Sequence, residues 1–401
     1  MLTAIIASST IEGMAAQIER AKYHADCFEF RVDYLKKWTI PQIKKLQISV
    51  TKPVIFTLRR WSQGGRFEGH ENDRLKGLVA LANLAPEFID IEFDVEQKFL
   101  EKLHQSHPNI KLISSYHDFF GTPENLEALI KKVDRAHCMV LKIVTMARSG
   151  LDSLRMIKFV KKQTAVRNFV GHAMGEDGEP SRILGAQFGN YFTYASLPNG
   201  EGERGENPPI PGIMSLKELA EDYRVKALDS NTSIFALIGD PVSQSVGTKF
   251  HNNSFKTEGR EAIYTRFRLE GHELKLFFEQ LKGLPVKGLS VTMPLKEQVL
   301  EFATKGGEGD LIRQIGAINT LKITDNKIIG LNTDGIAALD CIENHGTVRG
   351  KEFLLLGAGG SAKAIAYEAL RRGANLTIIN RTGEKARILE TTLGGNGFAL
   401  S

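Results

Sequence analysis

A lysine and a histidine lie in neighbouring apolar segments in the first half of the chain, and together they could carry out acid–base and imine chemistry. Lys142 lies inside the run Val140–Ala147, and His117 ends the run Lys111–His117. Burial lowers the pKa of an amine, and the neutral amine is the form that attacks a ketone. A nearby histidine could carry protons to and from carbon. Taken alone, Lys142 fits a structural lysine equally well.

Charged residues also close two earlier apolar segments. Glu29, Arg31 and Asp33 alternate with apolar residues at the end of the second segment, and Arg59 and Arg60 end the third. On exposed strand ends these side chains would form a solvated rim. Inside a pocket, the arginines would form a clamp for a carboxylate. The residue types leave both interpretations open.

Such residues can act together only if the ends of successive segments meet. Up to about residue 200 the sequence repeats an apolar β-rich run, a polar turn and a helix-like segment, at spacings that fit βα units. The eight runs are Thr3–Ala7, Cys27–Val32, Pro53–Arg59, Phe88–Phe93, Lys111–His117, Val140–Ala147, Asn168–Met174 and Tyr191–Ser196. This pattern predicts a (β/α)8 barrel, whose chemistry is carried at the carboxyl ends of its strands. Lys142 and His117, one unit apart, would then face one pocket.

The order and spacing of these residues resemble those of type I 3-dehydroquinate dehydratases over roughly residues 1–225. The motifs that carry the resemblance are Glu29-Phe-Arg31-Val-Asp33, Thr57-Leu-Arg59, Ser115-Tyr-His117-Asp118 and the lysine of the sixth run. The resemblance implies that Lys142 forms an imine with the C3 ketone of 3-dehydroquinate. It implies that His117 takes a proton from C2 and assists departure of the C1 hydroxyl as water. The substrate-binding residues that it implies are Glu29, Arg31, Arg59 and Arg182.

Two loops depart from the pattern of that family. Gln63 precedes Gly64-Gly65 where the family often has glutamate, and a neutral amide hydrogen-bonds but cannot act as a base. The late loop reads Pro209-Ile-Pro-Gly-Ile213 in place of Ser-Ala-Pro-Gly-Gln, so the family's lid serine and glutamine are missing. Lys142 and His117 are both present, and the predicted activity is kept.

A glycine-rich turn in the second half has the context of a dinucleotide-binding loop. The sequence Gly357-Ala-Gly359-Gly360-Ser-Ala362 follows the apolar strand Phe353–Leu356 and opens a helix-like segment. Glycine allows the backbone to approach a pyrophosphate at a helix N-terminus. The next strand ends in Asn380-Arg381-Thr382, where an arginine favours a 2′-phosphate and hence NADP. The residues predicted to bind NADP are Gly357, Gly359, Gly360, Ala362, Asn380, Arg381 and Thr382. The alternative for Arg381 is an exposed arginine in a turn.

Three short polar motifs precede this loop, and with it they are similar to shikimate dehydrogenases over about residues 233–390. They are Ser290-Val-Thr292-Met-Pro294-Leu-Lys296, Gly316-Ala-Ile-Asn319-Thr320 and Gly330-Leu-Asn332-Thr-Asp334-Gly335. The resemblance implies that Lys296 protonates the ketone oxygen as hydride arrives, with Asp334 paired to it. The residues that it implies for binding substrate hydroxyls or carboxylate are Ser245, Thr292 and Asn319. A surface salt bridge is the alternative for Lys296 and Asp334.

Two positions of this half also depart from the pattern. Gly247 replaces the second serine of the family's Ser-x-Ser-Pro, so one hydroxyl that would bind a carboxylate is gone. Ser290 replaces the asparagine of Asn-Val-Thr-x-Pro. Both changes predict weaker or altered substrate binding.

The composition excludes several classes of protein. The chain of 401 residues is 42% hydrophobic and 25% charged, which is typical of globular proteins and unlike disordered or collagen-like ones. The formal net charge of +5 is spread along the chain without a basic tract, which argues against nucleic-acid binding and suits anionic small molecules. Three widely spaced cysteines predict a reducing, cytoplasmic compartment, and no apolar stretch is long enough for a membrane span.

These observations predict a bifunctional enzyme of the shikimate pathway. Residues 1–228 would form a barrel that dehydrates 3-dehydroquinate to 3-dehydroshikimate. Residues 233–334 would bind 3-dehydroshikimate, and residues 335–401 would bind NADPH for its reduction to shikimate. One alternative is a metabolite sensor built from degenerate copies of these domains. A Schiff-base aldolase is a further alternative that fits Lys142 alone; the sequence gives no prediction of oligomeric state.

The end of the chain leads to one further expectation. A dinucleotide fold is built from two βαβαβ halves, and residues 351–401 hold only about two βα units. The sequence reads as though it stops in Gly394-Gly-Asn-Gly397, after the second strand. This predicts a truncated, poorly ordered NADP domain and an impaired reductase beside an active dehydratase.

Overall fold

The computed structural model describes residues 1–197, 210–304, 308–324 and 327–400, so most of the glycine- and proline-rich segment 199–212 lies outside the described residues. The chain divides into two units. The first contains Met1–Thr232 with Lys249–Ile263, and the second contains Ser233–Thr248 with Tyr264–Ser401. The three domains predicted from the sequence remain a proposal.

Eight parallel strands form the first unit in the order β7-β6-β5-β4-β3-β2-β1-β8. They are β1 (Leu2–Ile6), β2 (Cys27–Arg31), β3 (Val54–Thr57), β4 (Phe88–Glu92), β5 (Lys111–His117), β6 (Cys138–Met146), β7 (Phe169–Met174) and β8 (Thr193–Ala195). Because β8 pairs with β1, the sheet curls back on itself. The predicted barrel fold is confirmed, and every predicted apolar run overlaps one of its strands.

Seven α-helices connect these strands. They are α1 (Ile11–Ala21), α2 (Ile40–Ile48), α3 (Glu71–Ala82), α4 (Gln97–Ser106), α5 (Glu127–Val133), α6 (Gly150–Thr164) and α7 (Glu179–Gln187). Helix α1 begins after Thr10 because the Thr10 hydroxyl caps it, accepting a hydrogen bond from Gly13 N at 3.1 Å. Its buried side chains recur at helical spacing, Met14, Ile18 and Ala21, and cover the sheet.

Aromatic packing closes the barrel interior below the site. Phe88 and Phe192 are buried and meet edge to face, with ring centroids 5.1 Å apart. Tyr191 packs against both rings. Smaller buried side chains from the other strands, Ile55, Ile113, Val140 and Val170 among them, fill the same layer. This apolar floor leaves the inward-facing residues nearer the carboxyl ends of the strands free to be polar.

Side chains and one backbone bond join β7 to β8, which are not neighbours in the described strand ladder. Tyr191 N donates to Phe169 O at 2.9 Å where the two strands begin. The Asn190 side chain accepts from Gly171 N at 2.8 Å and donates to Gly171 O at 2.9 Å. The carbonyl groups along this edge of β8 are therefore available to side chains that lie inside the barrel.

The second half of the chain forms two sheets. The five-stranded sheet, in the order β10-β9-β11-β12-β13, contains β9 (Ser233–Gly239), β10 (Ala262–Arg268), β11 (Val286–Val291), β12 (Thr320–Thr324) and β13 (Lys327–Leu331). The three-stranded parallel sheet contains β14 (Glu352–Leu356), β15 (Asn375–Asn380) and β16 (Asn396–Ala399). Helices of this half are α8 (Gly247–Thr257), α9 (Leu274–Leu281), α10 (Glu308–Ile315), α11 (Asp334–Glu343), α12 (Gly360–Arg371) and α13 (Gly383–Leu393). None of the described helices is long and apolar enough to cross a membrane.

The structure differs from the sequence-based expectation at the last strand. Residues Gly394–Gly397 do not end the fold after a second strand, because β16 begins at Asn396 and pairs in parallel with β15. Gly394 and Gly395 turn the chain at φ 107° and 88°, conformations that favour glycine. A Cβ on Gly397 would lie 2.6 Å from Ala386 O, so glycine allows the strand to pass close to α13.

The sequence Ser215-Leu-Lys-Glu218 has the pattern of a capping box and predicts a helix over Ser215–Tyr223, but the helical segment in the structure is shorter. Ser215 and Glu218 exchange the predicted capping bonds, with Glu218 N donating to Ser215 Oγ at 3.1 Å. Only a π-helical turn follows, at Glu218–Asp222. Arg224 adopts φ 48°, and this left-handed conformation ends the turn.

Replacing Phe88 by Ala is expected to destabilise the barrel by about 3–5 kcal/mol, because the cavity left between Phe192 and Tyr191 has no side chain that can fill it. Urea unfolding at neutral pH measures the loss. Tyr23→Ala removes an aromatic ring that is 80% exposed and serves as the matched control, with an expected change below about 0.5 kcal/mol. Equal losses in the two variants would contradict the proposed role of the aromatic floor.

Candidate active sites

A cavity of about 910 Å³ opens at the carboxyl ends of the barrel strands. All six residues that the sequence predicts for the dehydratase site line this one cavity: Glu29, Arg31, Arg59, His117, Lys142 and Arg182. They come from β2, the end of β3, β5, β6 and α7. The solvated-rim alternative is wrong for Glu29, Arg31 and Arg59, because each is at most 4% exposed.

Lys142 lies between two carboxylates and an aromatic ring. Its Nζ is 3.1 Å from Asp90 Oδ2 and 3.6 Å from Glu29 Oε1. The same atom lies 4.0 Å from the centre of the Tyr194 ring, within the range of a cation–π contact. The amine is therefore buried, held in one place and directed into the cavity.

Asp90 contacts both Lys142 and Arg59, the arginine that follows β3. The sequence did not predict this role for Asp90. Its Oδ1 lies 2.7 Å from Arg59 Nη2 and accepts a hydrogen bond from Ser115 Oγ at 2.6 Å. Burial alone would raise the pKa of Asp90, but the charges of Arg59 and Lys142 and the Ser115 bond outweigh it and hold that pKa well below its usual value. The signal available was an acid at alternate spacing after Phe88, on the inward face of its strand.

His117 faces the cavity as a neutral base. Burial and the nearby charges of Arg59 and Lys142 lower its pKa well below the usual value, although Asp90 acts in the opposite direction. Its ring stacks on Phe119 at 6.3 Å. The backbone N of His117 donates to Gln63 Oε1 at 3.2 Å, so this amide is attached to the histidine strand.

Asp33 fixes Arg31 in a two-point ion pair and was not assigned a role from the sequence. Arg31 Nε and Nη2 lie 3.0 and 2.8 Å from the two oxygens of Asp33. Arg66 N donates to the same carboxylate at 3.0 Å, which attaches the loop after β3. The Arg31 and Arg66 guanidinium groups lie 4.8 and 4.5 Å from the Tyr34 ring centre. Arg31 is thereby oriented before any ligand binds.

Arg182 is held against the edge of β8 that faces β7. Its Nη1 donates to Tyr194 O at 2.9 Å, while its Nε has no hydrogen-bond partner among the described residues. Burial lowers its pKa to about 10, which still leaves it charged at neutral pH. Of the late loop, Pro209 lies outside the described residues, whereas Ile210 and Ile213 line the cavity.

A second cluster forms around Lys296 in the other half of the chain. Lys296 Nζ donates to Asp334 Oδ2 at 2.5 Å and to Ser361 Oγ at 2.8 Å, and Ser361 Oγ donates to the same aspartate oxygen at 2.9 Å. Asn319 Nδ2 donates to Asp334 Oδ1 at 2.7 Å. Burial opposes ionisation of Asp334, but the bonds from Lys296, Asn319 and Ser361 outweigh it and lower its pKa.

Ser361, which sequence reasoning did not assign, comes from the glycine-rich turn itself. Helix α12 approaches Lys296 closely because Gly360 has no side chain: a Cβ there would lie 2.9 Å from Lys296 Cβ. The side-chain amide of Asn319 forms its hydrogen bonds within the cluster: Nδ2 donates to Asp334, and Oδ1 accepts from Thr333 N at 3.1 Å. Its geometry is that of a residue that positions Asp334.

The other two residues predicted to bind substrate in this half have local contacts. Ser245 Oγ accepts from Gly247 N at 3.2 Å in the loop before α8. Thr292 follows β11, and its backbone N donates to Ile238 O at 2.9 Å. Gly239 lies against Thr292, and a Cβ on this glycine would be 2.3 Å from the threonine methyl group.

The turn after β14 has room for a dinucleotide. A Cβ on Gly357 or Gly359 would meet nothing within 4 Å, so the open space beside these two glycines could admit a phosphate group. Because β14 and β15 are parallel neighbours, Arg381 lies at the same sheet edge, exposed. Asn380 Nδ2 donates to Thr382 O at 2.9 Å and shapes that turn. The open glycines and the exposed Arg381 fit a dinucleotide phosphate, and Ala362 lies in the first turn of α12.

Replacing Asp90 by Asn is expected to destabilise the protein by about 3–5 kcal/mol at neutral pH, because Lys142 and Arg59 lose their shared buried counter-charge. The folded-state pKa of Asp90 lies below its ordinary value of about 3.9, so its contribution is present above about pH 4 and is lost as the pH falls toward the folded-state pKa. The difference from wild type in urea titrations between about pH 7 and pH 3 should therefore shrink toward acid.

The control is Asp73→Asn, which breaks an exposed pair with Lys76 and should change stability by less than about 1 kcal/mol. A difference for the Asp90 variant that stays constant across this pH range would contradict the charge interactions assigned to it.

Comparison with known proteins identifies the family of each half. Residues 2–230 match the family model described as type I 3-dehydroquinase, and residues 237–321 match the shikimate dehydrogenase substrate binding domain. The bifunctional 3-dehydroquinate dehydratase/shikimate dehydrogenase of Arabidopsis thaliana is 30% identical over 100% of this chain and 68% of its own length. The shikimate biosynthesis protein AroDE of Chlamydia pneumoniae is 30% identical over 100% of this chain and 80% of its own.

Among solved structures, the dehydroquinate dehydratase and shikimate dehydrogenase part of S. pombe AroM is 26% identical, with a TM-score of 0.49, over 98% of this chain and 76% of that one. The family models and the relatives identify the chain independently of that likeness. They agree in the order of the two parts along the sequence. The chain belongs to the family of bifunctional 3-dehydroquinate dehydratase/shikimate dehydrogenase enzymes.

Proposed function

We propose that residues 1–228 dehydrate 3-dehydroquinate through an imine on Lys142. The observation that carries this proposal is the position of the Lys142 amine, buried in a cavity beside a neutral histidine and three arginines. An amine in this position can attack the C3 ketone. The arginines supply positive charge for the carboxylate of the substrate, and Glu29 supplies an acceptor for its hydroxyls.

The reaction follows from this placement. The ammonium group of Lys142 first gives a proton to the neutral His117, and the resulting amine attacks C3. His117 returns this proton to the carbinolamine hydroxyl, which leaves as water and gives an iminium bond between C3 and Nζ. His117 takes a proton from C2, and the electron pair of the C–H bond moves into the iminium group to give an enamine. The enamine electrons then expel the C1 hydroxyl, which leaves as water with the proton carried by His117. Hydrolysis of the imine restores Lys142 and releases 3-dehydroshikimate.

Asp90 and Asp33 would position groups in this scheme. Asp90 holds Lys142 and Arg59 at fixed distances from each other, and Asp33 orients Arg31. Held side chains lose little conformational freedom when substrate binds, which favours a rate increase from orientation. Gln63 contributes a hydrogen bond to the histidine strand and no proton transfer.

We further propose that residues 233–334 bind 3-dehydroshikimate and residues 335–401 bind NADPH. When bound, the cofactor would supply the hydride for reduction of the ketone. Lys296 would donate a proton to the ketone oxygen, and the ionised Asp334 would hold the ammonium group in place. Ser361 links this pair to the glycine-rich turn, so cofactor and proton donor would be positioned by the same segment.

Borohydride added with 3-dehydroquinate is expected to trap an adduct on Lys142, because it reduces an imine to a stable secondary amine. Mass spectrometry of proteolytic fragments would locate the adduct. Lys142→Met should give neither adduct nor turnover, measured as ultraviolet absorbance of the enone product. Lys76→Met, which removes an exposed lysine, should retain both.

The adduct and the turnover measurements each have outcomes that would contradict the proposal. An adduct on another lysine, or turnover by Lys142→Met, would contradict the imine mechanism. Binding of 3-dehydroquinate by the wild-type protein without turnover would favour the sensor alternative. An adduct with an aldol substrate alone would favour the aldolase.

Lys296→Met is expected to lower NADPH-dependent reduction of 3-dehydroshikimate by about 100-fold or more, because the proton donor is lost. Loss of NADPH absorbance measures the rate. The dehydratase activity of the same variant should equal that of wild type, since Lys296 does not line the barrel cavity. Lys363→Met breaks a neighbouring ion pair with Glu297 and serves as control. Reduction unchanged by Lys296→Met would contradict the assigned role.

A further inference from the structure

Two histidines flank the reactive lysine, and the dehydratase mechanism uses only one. His117 on β5 is paired in register with Val144 on β6, and Val144 is paired with His172 on β7. Lys142 lies one inward-facing position below Val144 on the strand between them. His117, His172 and Lys142 all line the cavity. The register therefore places a histidine on each side of the amine.

The hydrogen bond at one ring nitrogen of His172 determines what the other can do. His172 Nε2 lies 3.2 Å from the carbonyl oxygen of Phe192, the residue immediately before β8. A carbonyl oxygen only accepts hydrogen bonds, so Nε2 carries the hydrogen. In a neutral imidazole the other nitrogen, Nδ1, is then an acceptor. Burial and the charges of Arg182 and Lys142 lower the pKa of His172 well below its usual value and keep the ring neutral.

Nδ1 has no hydrogen-bond partner among the described residues, although His172 is only 1% exposed. The Tyr194 ring lies edge-on at 6.2 Å, and its hydroxyl is likewise buried with no partner in the described part of the chain. A buried acceptor without a donor costs free energy. A ligand hydroxyl that donates to Nδ1 would remove this cost.

We propose that His172 Nδ1 accepts a hydrogen bond from a ring hydroxyl of the substrate, on the side of Lys142 opposite His117. The proposal rests on the dehydratase function given above. In the imine, C3 has C2 and C4 as neighbours. Because His117 acts at C2, His172 faces the C4 side, and the C4 hydroxyl of 3-dehydroquinate is the donor nearest to it. His172 is thus a substrate-binding residue that selects for a hydroxyl at this carbon.

Two variants separate this role from the bond to Phe192. The amide nitrogen of Gln occupies the place of Nε2, so His172→Gln keeps the donor to Phe192 O and removes the acceptor at the place of Nδ1. Asn places an oxygen near the position of Nδ1, so His172→Asn keeps the acceptor and loses the donor. The measurements are KM and kcat for 3-dehydroquinate, together with the thermal midpoint of each variant.

We expect His172→Gln to raise KM by about 3- to 10-fold with a near wild-type thermal midpoint, the loss of one neutral hydrogen bond. His172→Asn should lower the midpoint and leave KM within about twofold of wild type. A wild-type KM for His172→Gln would overturn the proposal, as would KM changes that follow the midpoint in both variants.

Turnover by the wild-type protein keeps the two proposals apart. If the wild type does not dehydrate 3-dehydroquinate, the proposed function fails. If it does and His172→Gln has an unchanged KM, only the role of His172 fails.

Discussion

The buried carboxylate of Asp90 is the interaction on which the barrel site depends. Arg59 and Lys142 carry like charges into one apolar barrel, and a cation buried without a partner would cost several kcal/mol. Asp90 lies 2.7 Å from one and 3.1 Å from the other, so this anion is shared by both cations, and Glu29 lies 3.6 Å from Lys142 as a second counter-charge. Because Asp90 contacts both cations, Lys142 is held at a fixed distance from Arg59, the arginine that would bind substrate. The constraint that makes the site stable also gives it its geometry.

The second half of the chain solves a similar problem at a more exposed place. Asp334 is held by Lys296, Asn319 and Ser361, which come from three separate segments. Both oxygens of the carboxylate are occupied, so the acid is oriented and stays ionised. The ammonium group of Lys296 keeps its remaining hydrogen-bonding capacity for a ligand. In both halves a carboxylate positions the cation that is proposed to react. The sequence did not predict this role for Asp90, and it predicted Asp334 only as the partner of Lys296.

The sequence was sufficient for the barrel, for its strands and for the residues that stand at strand ends. Periodicity predicts where Lys142 and His117 lie, and one βα unit between them is enough to place both in one cavity. It does not predict Asp90, since a carboxylate inside a strand is recognised as a partner only when the neighbouring strands are paired. The role of Ser361 could not be predicted either, because its contact with Lys296 joins residues that are far apart in sequence. The third strand of the last sheet, β16, was not predicted, because Gly394 and Gly395 were interpreted as the end of the fold and not as a turn before another strand.

The edge of β8 that faces β7 links the architecture of the barrel to its chemistry. In a fully hydrogen-bonded barrel the carbonyl groups of Phe192 and Tyr194 would accept from the neighbouring strand. Here they accept from His172 and Arg182, two side chains that also line the cavity. Each side chain uses one polar atom for the edge and keeps another, His172 Nδ1 and Arg182 Nε, without a partner among the described residues. Because the edge bonds fix both side chains, these two free atoms are held in place by the fold itself. The edge of β8 thus fixes two cavity-lining side chains, each with one polar atom that has no partner among the described residues: an acceptor on His172 and a donor on Arg182.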